Sequence, residues 1–209
     1  MDAPALDSLW QEVRGCALCA DHLPLGPRPV LRPSATARLL IVGQAPGTKV
    51  HESGIPWNDP SGDRLRDWLG IGRETFYDRR RIAIMPMGFC YPGRLQRSGI
   101  GRSGGGGDAP PRPECAPHWH AALLALMPAV ELTLLVGQYA QAHYLGERRS
   151  KTLTETVARW RDFLPGYLPT PHPSWRTRGW VARNPWFEAE LLPQLRTRVA
   201  ALVDRPAEV

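Results

Sequence analysis

Three short segments carry the residue types that chemistry needs. Pro56-Trp57-Asn58-Asp59-Pro60 offers an aromatic face, an amide and a carboxylate within three positions. A nucleobase drawn out of its stack needs a stacking surface and hydrogen-bond partners, and removing it needs a positioned water. Trp57, Asn58 and Asp59 are candidates for those tasks, although Asn58 to Gly62 also has the makeup of a turn that caps a helix. In His172-Pro173-Ser174, a histidine can donate a hydrogen bond to a carbonyl that gains negative charge as a glycosidic bond breaks; a lone surface histidine is the alternative. Ser174, Trp175, Arg176 and Arg178 follow, with Trp180 and Arg183 beyond them. Cations interleaved with aromatics suit contact with a phosphate backbone and a wedge into a base stack, some of the tryptophans being core. Gly43-Gln44-Ala45-Pro46-Gly47 sets small residues and a rigid proline where backbone can approach a ligand, or where a turn is simply required.

The chain has four cysteines. Cys16 and Cys19 form a C-x2-C pair, 70 residues separate Cys19 from Cys90, and 24 separate Cys90 from Cys115. Such a knuckle with two distant partners can close four thiolates around zinc or a [4Fe–4S] cluster, and the spacing does not choose between them. Unrelated buried thiols are the plainer reading.

These residues must be held by elements. Apolar runs at Leu39–Val42, Ile82–Met87 and Leu132–Val136 read as strands buried on both faces, with Gly166–Thr170 a weaker fourth. Helices are expected over Gly62–Leu69, Glu114–Met127, Gln138–Tyr144, Leu153–Phe163 and Pro185–Val203, the last with proline in its first turn. Alternation of strands and helices predicts one α/β domain over residues 1–209: three layers, α/β/α, around a mainly parallel four-stranded sheet. Ligands of such sheets bind beyond the strands' carboxyl ends, where the loops Gly43–Gly62, Cys90–Cys115 and Pro171–Trp180 should converge. Residues 94–113, with Arg94, Arg97, Arg102 and Arg112 among glycines and prolines, read as a mobile basic loop, either a tolerated insertion or a phosphate contact.

At 209 residues the length suits one domain, and a formal charge of +6 suits a polyanionic partner. Only Lys49 and Lys151 are lysines, so a GC-rich genome would give the same arginine bias. No apolar run approaches the roughly 20 residues that span a bilayer. The acidic N-terminus lacks the basic and apolar regions of a secretory signal, so a cytoplasmic monomer is expected.

Taken together, the motifs resemble the uracil-DNA glycosylase superfamily from about Cys16 to the C-terminal helix. Gly43-Gln44-Ala45-Pro46-Gly47 resembles its first motif, Gly54-Ile55-Pro56-Trp57 the segment whose aromatic stacks on uracil, and His172-Pro173-Ser174 the second catalytic motif. The order of cysteines is similar to that of the iron–sulfur glycosylases of families four and five. Pro86 to Gly93, Pro110 to Cys115 and Asn184 to Glu188 resemble a bacterial group labelled only "uracil-DNA glycosylase family protein".

The resemblance implies a monofunctional glycosylase that hydrolyses the N-glycosidic bond of a deaminated base in DNA, uracil first. Asp59, offset by one residue from the aspartate of family five, would activate water, and His172 would stabilise the departing base. Gly43, Gln44, Ala45, Pro46, Trp57, Asn58 and Met87 would hold the base. Ser174, Trp175, Arg176 and Arg178 would meet DNA, and Cys16, Cys19, Cys90 and Cys115 would hold a [4Fe–4S] cluster, or zinc. In the iron–sulfur members an asparagine four residues before the third cysteine reads the uracil edge; that position here is Pro86. Either Asn58 or backbone near Met87 and Gly88 reads the base instead, or the substrate is hypoxanthine or xanthine. No histidine-bearing basic insert is present, so no covalent adduct with DNA is expected. Two rivals are a non-catalytic sensor of damaged DNA and a hydrolase of free nucleotides.

Overall fold

The computed structural model describes residues 3–95 and 107–205. Four parallel strands form the sheet: β1 (Leu39–Val42), β2 (Ile82–Ile84), β3 (Leu132–Val136) and β4 (Tyr167–Thr170), in the order β2-β1-β3-β4. Leu39 pairs with Ile82 on one side and Leu132 on the other, and Leu134 pairs with Leu168. Alternate residues feed opposite faces. Leu39, Ile41, Ile82, Ile84, Leu134 and Leu168 join one core, and Leu40, Val42, Ala83, Met85 and Leu135 join the other. Both faces being covered is why these strands are apolar without a polar alternation.

One face is packed by α3 (Pro60–Leu69), α4 (Arg73–Tyr77), α7 (Leu153–Ala158) and α9 (Leu192–Val203), through Leu65, Phe76, Val157 and Leu195. The other is packed by α1 (Ala3–Arg14), α5 (Cys115–Ala125) and α6 (Gln138–Leu145), through Val13, Leu123 and Ala140. The result is the expected three-layer α/β/α sandwich. Two further short helices, α2 (Thr48–Ser53) and α8 (Arg178–Arg183), lie in segments read from sequence as loops.

Three expected elements are altered for identifiable reasons. The strand over 82–87 loses its assignment after Ile84, where Pro86 can donate no hydrogen bond, although the Met85 and Met87 amides still reach the Ile41 and Gly43 carbonyls at 3.0 and 2.9 Å. The helix over 153–163 splits into α7 and a 3-10 turn at Trp160–Phe163. The helix over 185–203 is a π-helical turn, Phe187–Leu191, followed by α9. Pro193 has no N–H and its ring would strike the carbonyl four residues earlier, which a widened turn relieves. Of the basic loop, residues 96–106 lie outside the described residues. Its ends pair as an antiparallel stem, with an Arg94–Asp108 bridge, Leu95 N–H to Gly107 at 3.0 Å and Ala109 N–H to Gly93 at 2.8 Å.

Candidate active site

The chain leaves β1 for β2 on one side and reaches β3 on the other, so the topological switch lies where the carboxyl ends of β1 and β3 part. Gly43 ends β1 and Gly137 ends β3. A cavity of about 520 Å³ opens there, lined by Gly43–Gly47, Trp57, Asp59, Pro86, Asp108, His172 and Trp175, among others.

Glycine shapes this cavity at two points. A Cβ on Gly43 would come within 2.7 Å of the Trp57 indole, and one on Gly62 within 1.8 Å of the Trp57 carbonyl. Trp57 is therefore laid flat on one glycine and backed by another. Its φ of 58° is left-handed, which costs a non-glycine residue roughly 1 kcal/mol or more. The conformation is held from behind: the Arg66 guanidinium donates to the Trp57 carbonyl at 3.4 Å, and the Tyr77 hydroxyl donates to the Pro56 carbonyl at 2.9 Å. The indole lies 5.6 Å from the His172 ring, centre to centre.

Asp59 does two things that sequence reading set as alternatives. Its Oδ1 accepts the Gly62 N–H at 2.8 Å and caps α3, and the residue also lines the cavity. His172 follows β4, its carbonyl accepting the Ser174 N–H at 2.8 Å and the Thr177 hydroxyl at 2.5 Å. Burial pushes the His172 pKa down, partly opposed by the Asp59 carboxylate. The imidazole is thus neutral at pH 7 and can donate through one N–H. Arg64 on α3 donates to the Ser174 carbonyl at 2.9 Å and ties the two loops together. Gly137, with φ of 88°, leaves room for the Gln44 side chain and His172.

The cavity gathers Gly43, Gln44, Ala45, Pro46, Trp57, Asp59, His172, Ser174, Trp175 and Arg176 from the expected set. Trp175 is 73% exposed at its mouth. Asn58, Met87 and Arg178 are not among its lining residues. The Asn58 carboxamide accepts from Arg73 at 3.0 Å, Met87 is buried in the core, and Arg178 is exposed at the start of α8. The backbone amides of Met87 and Gly88 are given to the Gly43 and Gln44 carbonyls, each at 2.9 Å.

Asp108 was not singled out from the sequence. Carried by the loop stem, it sets Oδ2 3.1 Å from where a Gly47 Cβ would stand. Burial raises its carboxyl pKa and the Asp59 charge adds to this, while Arg94 and Arg176 oppose it. An aspartate between a glycine run and prolines carries no sequence signal; only the fold brings it beside Asp59.

The four cysteines line one second cavity. Cys16 and Cys19 follow α1, Cys90 follows β2 and Cys115 begins α5. The Phe89 N–H donates to Cys115 Sγ at 3.4 Å. Burial pushes the Cys90 thiol up to about 11 and Cys115 to about 12, with neighbouring cysteines adding to both. Among the described residues, no three His, Cys, Asp or Glu side chains form a group able to hold a metal ion. Four thiols drawn to one pocket, with an amide aimed at a sulfur, suit a group larger than one ion, since thiolates sharing a zinc ion crowd to about 4 Å of one another.

No helix among the described residues is long and apolar enough to cross a membrane. A family model described as "Uracil DNA glycosylase superfamily" matches residues 31–196.

Proposed function

The chain belongs to the uracil-DNA glycosylase superfamily, whose members are DNA glycosylases, and from that premise we propose that it is a monofunctional glycosylase hydrolysing the N-glycosidic bond of a deaminated base, uracil first, in base-excision repair. The observation that carries this reading is the meeting of Trp57, Asp59 and His172 at one cavity on the switch point of the sheet. Trp57, fixed in a strained conformation, supplies the stacking face for a base flipped out of DNA. Gly43 to Gly47 bring backbone close to it.

In the reaction, the bond between the sugar C1′ and the base nitrogen breaks and its electron pair leaves with the base. The neutral His172 donates its N–H to the base carbonyl on which that charge accumulates. Asp59 orients a water and stabilises the positive charge developing on the sugar. The water oxygen bonds to C1′, and its proton passes to the carboxylate or to solvent. The products are a free base and an abasic site, with no covalent adduct to the protein. Ser174, Trp175, Arg176 and Arg178 are assigned to the DNA backbone and the gap in the stack.

Cys16, Cys19, Cys90 and Cys115 are assigned to a [4Fe–4S] cluster, as in families four and five, with zinc the alternative. Bound there, the group would tie the segment after α1 to the β2–α5 connection and needs no redox change.

The test uses labelled oligonucleotides containing uracil, hypoxanthine or xanthine, single-stranded and paired, with alkali to cut abasic sites. Excision of one substrate, lost in Asp59→Ala, is the expected result. Damage-selective binding without any abasic product would instead identify a non-catalytic sensor.

A further inference from the structure

The groups that stand nearest the expected place of base reading are occupied elsewhere. Pro86 lines the cavity but has no N–H, and its carbonyl is bonded to His120 Nε2 at 3.1 Å. A carbonyl can only accept, so Nε2 carries the proton and Nδ1 accepts the Tyr144 hydroxyl at 2.8 Å. The amides of Met87 and Gly88 are committed to the ladder, and the Asn58 carboxamide is bonded to Arg73. Among the described residues lining the cavity, the only carboxylates are Asp59, which caps α3, and Asp108.

We propose that Asp108 is the specificity-determining residue of this site, accepting a hydrogen bond from the ring N–H that deamination creates. The inference rests on the glycosylase reading above. Its chemistry is general. Cytosine presents a lone pair at N3 and adenine one at N1; uracil and hypoxanthine present N–H at those same positions. An ionised carboxylate only accepts. It pairs with the deaminated base and opposes the lone pair of its parent, leaving two buried acceptors face to face, which is the arrangement that gives strong discrimination. An asparagine amide can turn to satisfy either. Asp108 has the placement this task requires: the antiparallel stem fixes its backbone, and its carboxylate lies over Gly47 in the loop that borders the base. Arg94 and Arg176 also line the cavity and favour its charged form.

The experiment measures single-turnover excision of uracil, hypoxanthine and cytosine from duplex oligonucleotides by the full chain, by Asp108→Ala and by the isosteric Asp108→Asn. Asp108→Ala should lose about 10- to 100-fold on uracil and on hypoxanthine, the size of a hydrogen bond to a charged group. Asp108→Asn should raise cytosine relative to uracil by about tenfold or more, a change that a role confined to holding the stem would not produce. Wild-type excision with the base ratio unchanged in both variants overturns the role of Asp108 and leaves the glycosylase reading intact. Absence of wild-type excision overturns that reading instead. Asp108 is then tested by binding to duplexes carrying 2′-fluoro deoxyuridine or 2′-fluoro deoxycytidine, where equal selectivity in wild type and Asp108→Ala overturns it.

Discussion

Trp57 and its two glycines illustrate what individual residues determine in this protein. An indole in the left-handed region is held between Gly43 and Gly62, so adding one methyl group at either glycine has a predictable effect. Gly62→Ala meets backbone rather than a flexible side chain and should destabilise by about 1–3 kcal/mol, read from the midpoint of urea unfolding. Gly43→Ala meets the indole edge, and should displace the ring and lower excision more than stability. Losing the His172 donor should slow excision on the order of 100-fold in His172→Ala, with substrate binding little changed. An unchanged single-turnover rate in that variant would remove His172 from the mechanism. The sequence marked Trp57, Asp59 and His172, because motif chemistry is local. It did not mark Asp108, whose role depends on a neighbour far along the chain.

The contact of α5 with the end of β2 is decided at the level of elements. His120 on α5 is 1% exposed, is stacked on Phe89 with ring centres 5.6 Å apart, and is bonded to Pro86 and Tyr144. Burial holds its pKa down at about 4 against an ordinary 6.5. Between those values the unfolded chain binds a proton that the folded chain refuses, so stability is full above about pH 6.5 and falls as pH drops toward 4. The loss amounts to about 3 kcal/mol at the low end, from roughly 1.4 kcal/mol per tenfold in proton affinity. His172 titrates in the same direction. Thermal unfolding of wild type should therefore show a lower Tm at pH 5 than at pH 7, and His120→Gln should show a shallower decline. A parallel decline in both proteins would assign the effect to other groups. Helix boundaries were legible where local chemistry sets them, as at Thr152 and Glu155, which form a capping box at the start of α7. They were not legible at α1, α2, α4 and α8, three of them only five or six residues long, whose stability comes from packing rather than pattern.

For the whole molecule, a charge of +6 and the arginines around the cavity mouth predict DNA binding that weakens steeply with salt. The logarithm of affinity should fall linearly with the logarithm of salt concentration, and Arg176→Ala should reduce that slope by about 1 if its guanidinium meets one phosphate. The four-cysteine pocket joins the chain's first helix to the β2–α5 connection, so removing a bound group should loosen both. Anaerobically purified protein should carry the visible thiolate-to-iron band and lose it, with a lower Tm, on chelation. A colourless protein holding one zinc would replace the cluster with an ion.

The sequence by itself determined the layered α/β class, the four strand positions and the three motif segments, because burial on both sheet faces and turn chemistry are written in neighbouring residues. Tertiary structure decided which residues share the cavity. It turned Asn58 toward Arg73, spent the Met87 and Gly88 amides on the ladder, locked the Pro86 carbonyl to His120 and set Asp108 beside Asp59. Those outcomes depend on which donors and acceptors are already paired once the chain has closed on itself, and no local pattern encodes that.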